Sequence, residues 1–342
     1  MNPPRQRTTA LLLTALSLVG PATCQRGSSS SPPFRLALFP NLTHAQGLVG
    51  EAEGLFARAI AAPVVVRHFH AGPAAMEALL AGDIDMAYVG PGPAGIAYLR
   101  SGEEALRVVA GAASGGAGLV ARRAFSAREL AGKRVATPQL GNTQDIALRF
   151  WLRSQGLRVG SGPSDVNVLP LSNPDILGLF ARGEIEAAWV PEPWAALLVA
   201  KAGGHLVVDE RDLWEGRQFP VAVVVASRRA LATRRREVVA ALRVHLALTD
   251  RWRSDPAAFA RAANAQYGKL TAHPLPDAVL LDAFSRLQPT TDPLERQLEI
   301  GVRRAQAMKF APAGDVSRMV DASALEEAAR PGGDHPRLHR PP

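Results

Sequence analysis

The segment Gly82-Asp-Ile-Asp-Met-Ala-Tyr-Val-Gly-Pro-Gly-Pro-Ala94 aligns without a gap on Gly183-Glu-Ile-Glu-Ala-Ala-Trp-Val-Pro-Glu-Pro-Trp-Ala195. Each copy follows an apolar helical pattern closed by glycine: Met76, Leu79 and Leu80 before Gly82, then Ile176, Leu177 and Phe180 before Gly183. A fainter echo pairs Leu38-Phe-Pro-Asn-Leu-Thr-His44 with Ala136-Thr-Pro-Gln-Leu-Gly-Asn142. A helix-stop-strand-turn unit that recurs at one fixed offset constrains the fold strongly, because each copy must solve the same packing problem in the same way. The duplication predicts two lobes of like topology.

Around it, short apolar runs alternate with helical periodicity, the pattern of βα units on a mostly parallel sheet. Strands are predicted near 34–39, 63–69, 84–89 and 106–111, with helices near 44–60, 73–81 and 92–101. The rhythm restarts with strands near 134–137, 166–170, 186–190 and 205–208. The apolar run Phe219–Ala226 then leads into an almost wholly helical C-terminal third. In open α/β sheets ligands bind beyond the carboxyl ends of strands, where turns run into helix N-termini. Two facing lobes would bring the turns at 41–44, 90–93, 141–144 and 191–194 around one cleft.

The third of these turns is the most suggestive. In Arg134-Val-Ala-Thr-Pro-Gln-Leu-Gly-Asn-Thr-Gln144 an apolar run gives way to small neutral donors where a helix begins. Ile146, Phe150 and Trp151 mark the apolar face of that helix, and Gly156 marks its stop. Its first N–H groups lack helical partners and sit at the positive end of the dipole, so an anion is favoured there without any lysine or arginine. Asn142 and Thr143 also serve as ordinary N-caps.

Composition narrows the function classes. With 342 residues and 47% hydrophobic content the chain can bury a large core. The net charge of +8 comes from basic residues scattered along the chain, and aromatics are only 6%, so neither a basic stripe nor a base-stacking platform for nucleic acid is visible. Arg5 and Arg7, the apolar stretch Thr9–Val19 and Ala22-Thr-Cys24 read as an export signal. Cys24 is the only cysteine, which excludes an intrachain disulfide and a cysteine-based metal site. Followed by a serine-rich stretch, it looks like the acylated cysteine of a bacterial lipoprotein, although Pro21 and Thr23 depart from that motif. Acylation and plain cleavage both remain open.

Five segments carry a wider resemblance: Thr43–Val49, Gly72–Pro91, Gly111–Gly118, Thr137–Asp145 and Trp189–Trp194. Together they resemble the ABC-transporter substrate-binding proteins of the nitrate, taurine and aliphatic sulfonate type, over roughly residues 34–325. The resemblance implies an α/β, two-lobed type II periplasmic binding protein, each lobe a mostly parallel sheet flanked by helices. Lobe one would comprise 34–117 plus 224–325 and lobe two 118–223, with two crossover strands as the hinge. Residues 1–24 would be the signal, 25–33 a linker and 326–342 a disordered tail. The implied role is capture of a small anionic solute in the periplasm or at the outer face of the cytoplasmic membrane. A monomer would deliver it to a permease driven by a separate ATPase, touching the membrane only through a lipid at Cys24, with no cofactor and no nucleic acid.

The candidate ligand residues are Thr43, His44, His70, Gly90, Pro91, Ser114, Gly115, Asn142, Thr143, Gln144, Glu192 and Trp194. Neutral dipoles suit a protein that must release what it holds. His44 could donate to an anion or simply pack, and Trp194 could cover an apolar tail. His68 and His70 share a strand face and with His44 could bind a metal, although no carboxylate is spaced with them. Tyr88, Trp189 and His245 read as core. Glu192 conflicts with an anion unless an arginine neutralises it or the ligand carries an amine, and Asp145 raises the same concern. An aminopyrimidine thiamine precursor is therefore the alternative ligand. The enzyme alternative, a pyrimidine synthase on the same fold that resembles this family, needs a cysteine cluster that this chain lacks, and no Gly-x-Ser-x-Gly, His-Glu-x-x-His or phosphate-loop motif occurs. A sensor module would share the same cleft.

Overall fold

The computed structural model describes residues 31–124 and 126–331. The export segment, Cys24 and the last residues of the expected tail lie outside them. β1 (Phe34–Leu38) runs through one 3-10 turn into α1 (Ala45–Ala52) and α2 (Leu55–Ala59), β2 (Val64–His68) into α3 (Gly72–Leu80), and β3 (Met86–Val89) into α4 (Pro91–Arg100). The predicted helix at 44–60 is broken because Gly54 takes a left-handed conformation, φ 62°, open to glycine at little cost. β4 (Leu106–Gly115) and β5 (Ala117–Ala121) follow almost end to end.

The pattern then repeats: β6 (Arg134–Thr137) and α5 (Thr143–Ser154), β7 (Asn167–Pro170) and α6 (Asn173–Ala181), β8 (Ala187–Pro191) and α7 (Trp194–Ala202), then β9 (His205–Asp209) and β10 (Pro220–Ser227). The remainder is α8 (Arg228–Thr233), α9 (Arg235–Ser254), α10 (Pro256–Thr271), α11 (Asp277–Ser285), β11 (Leu287–Pro289), α12 (Glu295–Ala307) and α13 (Ser323–Ala329). Helix thus continues past the boundary expected at 325, because Ala324 and Ala328 bury against the core and Glu327 pairs with Arg235.

The strands form two sheets, ordered β11-β4-β10-β3-β1-β2 and β7-β6-β8-β5-β9. In each, three successive strands are parallel, β2-β1-β3 and β7-β6-β8, and the rest pair antiparallel. The sheets are therefore mixed, because the chain crosses between them: β5 leaves the first sheet to pair antiparallel in the second, and β10 returns to do the same in the first. The duplication is spatial as well as sequential, with β10-β3-β1-β2 matching β5-β8-β6-β7. Ala37 lies opposite Ala87 and Ala136 opposite Ala188, so β1 and β6 correspond one residue away from the pairing suggested by the sequence echo. A slip of one residue would turn every side chain to the other face, so the sheet register decides the match.

Both faces of both sheets are covered. Tyr88 points to the core under α1, α9 and α10, while Ala87 and Val89 point to the core under α3, α4 and α12. In the second sheet Trp189 faces α5, and Ala188 and Val190 face α6 and α7. Burial on both sides explains why β3, β8 and β10 read as continuous apolar runs. It also leaves the carboxyl ends of the parallel strands as the place where polar turns gather.

Candidate functional site

At those ends a cleft of about 410 Å³ lies between turns from both lobes. Its wall takes residues from the starts of α1, α3, α4, α5 and α6 and from the end of β8, and it contains no lysine, arginine, aspartate or glutamate. A wall of helix starts with no charged side chain favours an anion through backbone N–H groups alone.

The start of α5 shows how the local sequence builds this. Asn142 is the N-cap, its Oδ1 accepting from Asp145 N–H at 2.9 Å, which leaves the N–H groups of Thr143 and Gln144 as the unpaired pair of the first turn. Asp145 is fully buried and faces away from the cleft. Its carboxylate accepts from Thr137 Oγ1 (3.0 Å), Gly141 N (2.9 Å) and Arg149 Nε (2.9 Å), so its charge braces the turn instead of repelling a ligand. Gly141 needs its left-handed φ of 75° to aim its N–H at that carboxylate.

His44 contributes a neutral donor. The N–H of Phe39 donates to its Nδ1 at 3.3 Å, and the two rings stack at 4.6 Å. An accepting Nδ1 assigns the proton of the neutral ring to Nε2. Complete burial lowers its pKa to about 3, so the ring carries no charge at neutral pH. A base that would be costly to charge still offers Nε2–H to the cleft it lines.

Of the other candidates, Thr43, His70 and Gly90 line the cleft beside His44, Asn142, Thr143 and Gln144. Thr143 has a second use: its Oγ1 accepts from Gly92 N–H at 3.2 Å, joining the starts of α4 and α5 across the lobes. Pro91 lies behind this contact, in a separate cavity of about 370 Å³ with Glu210, Trp214 and Arg304. Ser114 is buried outside the cleft wall with its Oγ accepting from Phe219 N–H, and Gly115 beside it approaches the backbone of Arg286.

Glu192 is also outside the wall. It has no exposed surface, accepts from Ala196 N–H (3.1 Å) and pairs with Arg286 Nε (2.6 Å), which is itself bound to Asp282. Burial raises its pKa and Arg286 opposes that rise. The carboxylate that conflicted with an anion is thus neutralised by an arginine of the other lobe. Trp194 is also outside the wall: it packs against the hydrophobic cores and spends its indole N–H on Asn41 Oδ1 at 3.1 Å. His68 turns to Glu51 at 2.9 Å, a carboxylate from another element that sequence spacing does not reveal, and no cluster of three metal-ligating side chains occurs among the described residues.

Asn41 lines the wall within the turn expected at 41–44, whereas sequence reasoning missed Phe39, Asn173 and Val221. The signal for Asn173 was present in Leu171-Ser-Asn-Pro174, a helix start of the same kind as Gly-Asn-Thr. It follows β7, the strand expected near 166–170, but lies outside the four turns taken to frame the cleft.

A family model described as the NMT1-like family matches residues 27–266. The chain belongs to the NMT1-like family. This NMT1-like chain is 28% identical over 199 residues to the taurine-binding periplasmic protein of Escherichia coli (strain K12), an alignment covering 56% of the chain and 58% of that protein. It spans about half the length of the curated relatives it matches.

Among solved structures it resembles the alkanesulfonate-binding protein of Xanthomonas axonopodis pv. citri, with a TM-score of 0.65 and 21% identity over 87% of this chain and 99% of that one. The periplasmic nitrate-binding protein of Synechocystis PCC 6803 gives a TM-score of 0.73 at 14% identity, over 87% and 88% of the two chains. These likenesses establish the two-lobed fold of periplasmic binding proteins.

Proposed function

We propose that this chain is the extracytoplasmic solute-binding component of an ABC importer, holding a small oxyanion of the sulfonate or nitrate kind in the interlobe cleft and passing it to a membrane permease. The observation that carries the reading is the cleft wall: helix starts, the free N–H groups of Thr143 and Gln144, and the uncharged Nε2–H of His44, with no acidic side chain. Neutral donors hold an anion without the permanence of a buried ion pair, which suits capture followed by release. The taurine-, alkanesulfonate- and nitrate-binding relatives point to the same ligand class. The chain binds its solute without converting it. It works as a monomer outside the cytoplasmic membrane, free or tethered at Cys24, with the crossovers near 116 and 210–219 as the flexing points between lobes.

Calorimetric titration with ethanesulfonate and nitrate, beside a cationic and a neutral solute, tests it. One anion is expected to bind with unit stoichiometry, and His44→Ala to weaken it about 10- to 100-fold, the loss of one hydrogen bond to a charged group. Binding of only the neutral or cationic solute would overturn the reading. Cellular uptake of the same anion that survives deletion of the chain would overturn the transport role.

A further inference from the structure

We infer that the cleft selects an anion whose far end is an uncharged hydroxyl, and that Asn173 reads that end; the inference rests on the anion seat proposed above. Asn173 is the first residue of α6, lines the cleft and is 8% exposed. Its carboxamide Oδ1 is buried without a hydrogen-bond partner among the described residues. A buried polar atom with no partner is uncommon enough to require one, and the cleft is the space that Asn173 lines. Its backbone N–H, at the first helical position, has no partner within the helix either. Asn173 thus presents an acceptor and a donor side by side.

A hydroxyl matches that pair, since it donates one hydrogen and accepts others, whereas an ammonium only donates. The ammonium is also the wrong charge: the start of α6 is a positive dipole end. The acids that could offset it are committed elsewhere. Asp145 is held by Thr137, Gly141 and Arg149, Glu192 by Arg286 and Ala196, and the exposed Asp175 by Ser172, and none of the three lines the cleft. β7 and β6 are adjacent parallel strands, so a short anion seated at α5 has Asn173 in the neighbouring turn of the same cleft. An aminosulfonate would bury its cation unpaired there, while the hydroxyl analogue of the same shape would be satisfied.

The test is calorimetric titration of the purified chain with three sulfonates of nearly the same shape, 2-hydroxyethanesulfonate, 2-aminoethanesulfonate and propanesulfonate, which end in a hydroxyl, an ammonium and a methyl group. The hydroxy compound is expected to bind at least about tenfold more tightly than the amino compound, and more tightly than the alkyl one. Asn173→Ala should abolish the advantage of hydroxyl over alkyl while leaving propanesulfonate within about twofold, and Asn173→Asp should shift preference toward the amine. Wild-type protein that binds the amine as tightly as the hydroxyl overturns this inference and leaves the anion seat standing. An unchanged hydroxyl-to-alkyl ratio in Asn173→Ala also overturns it. Absence of binding by all three sulfonates also overturns it, and defeats the underlying anion reading only when nitrate fails to bind as well, so the two failures are distinct.

Discussion

His44 and Glu210 are buried titratable groups with opposite consequences for pH. The folded pKa of His44 is about 3, below its ordinary 6.5, so the unfolded chain binds the extra proton between those values and stability falls as pH drops through that window. His245, held between Tyr88 Oη and the Gly111 carbonyl with a pKa of about 4, adds to the same loss. Urea denaturation should therefore show stability declining from pH 6.5 toward 4, while anion affinity stays flat from pH 5 to 8 because His44 remains neutral throughout. A binding curve with an inflection near pH 6.5 would contradict the neutral-donor assignment. Glu210 runs the other way. Desolvation raises its pKa from 4.5 to about 7 although Trp189 Nε1 donates to it at 2.8 Å, so its contribution is present below 4.5 and lost as pH rises through 7. Glu210→Gln keeps an acceptor for Trp189 and removes the charge. It should stabilise the protein at pH 8 by about 1–3 kcal/mol and do little at pH 4. Equal effects at both pH values would show that the ionised carboxylate is not the source.

At the scale of elements, the two lobes meet where helix starts touch. A Cβ on Gly92 would sit 3.1 Å from Thr143 Cα and 2.9 Å from Ile146 Cδ1, so α4 could not approach α5 as it does. Gly92→Ala is expected to cost ligand affinity about tenfold or more while leaving the unfolding free energy of the ligand-free protein within about 1 kcal/mol. A large loss of intrinsic stability would instead place the contact in the core of one lobe. The Arg286 to Glu192 pair joins the end of α11 to the turn before α7, and removing one partner leaves a buried charge alone. Arg286→Ala should destabilise by about 3–5 kcal/mol, and Arg286→Met with Glu192→Gln should recover most of it.

These interlobe contacts were the least legible features of the sequence. The duplication revealed β3, β8 and their helices because burial on both faces leaves an unmistakable apolar run, and the cap chemistry at Asn142 marked a helix start that lines the cleft. β5 hid inside Gly111–Ala121, where one continuous small-residue run serves two sheets, and Leu287-Gln-Pro289 is too short to carry periodicity. That Glu192 would be answered by Arg286, nearly a hundred residues away in the chain, follows from topology and not from spacing.

For the whole molecule, side-chain contacts link elements of the two sheets at several points around the cleft. Gly92 N–H reaches Thr143, Arg286 reaches Glu192, and Trp194 reaches Asn41. Away from the ligand wall, the guanidinium of Arg304 on α12 lies 4.6 Å from the Phe150 ring of α5 and 4.0 Å from the Trp214 ring. A ligand shifts an open-closed equilibrium only by its differential affinity for the two forms, and affinity is reduced by whatever fraction of the protein is not competent to bind. A contact that touches no ligand but favours closure must therefore appear in the binding constant. Arg304→Met preserves the stem that fills the space between the rings and removes the cation, a loss of about 1 kcal/mol from the closed state and so about fivefold in affinity. In small-angle scattering the wild type should contract when saturated with its anion, and the variant should need proportionately more anion for the same contraction. Scattering that does not change at saturation would mean the lobes do not move. A variant whose affinity matches the wild type would mean that this stacked arginine has no part in closure.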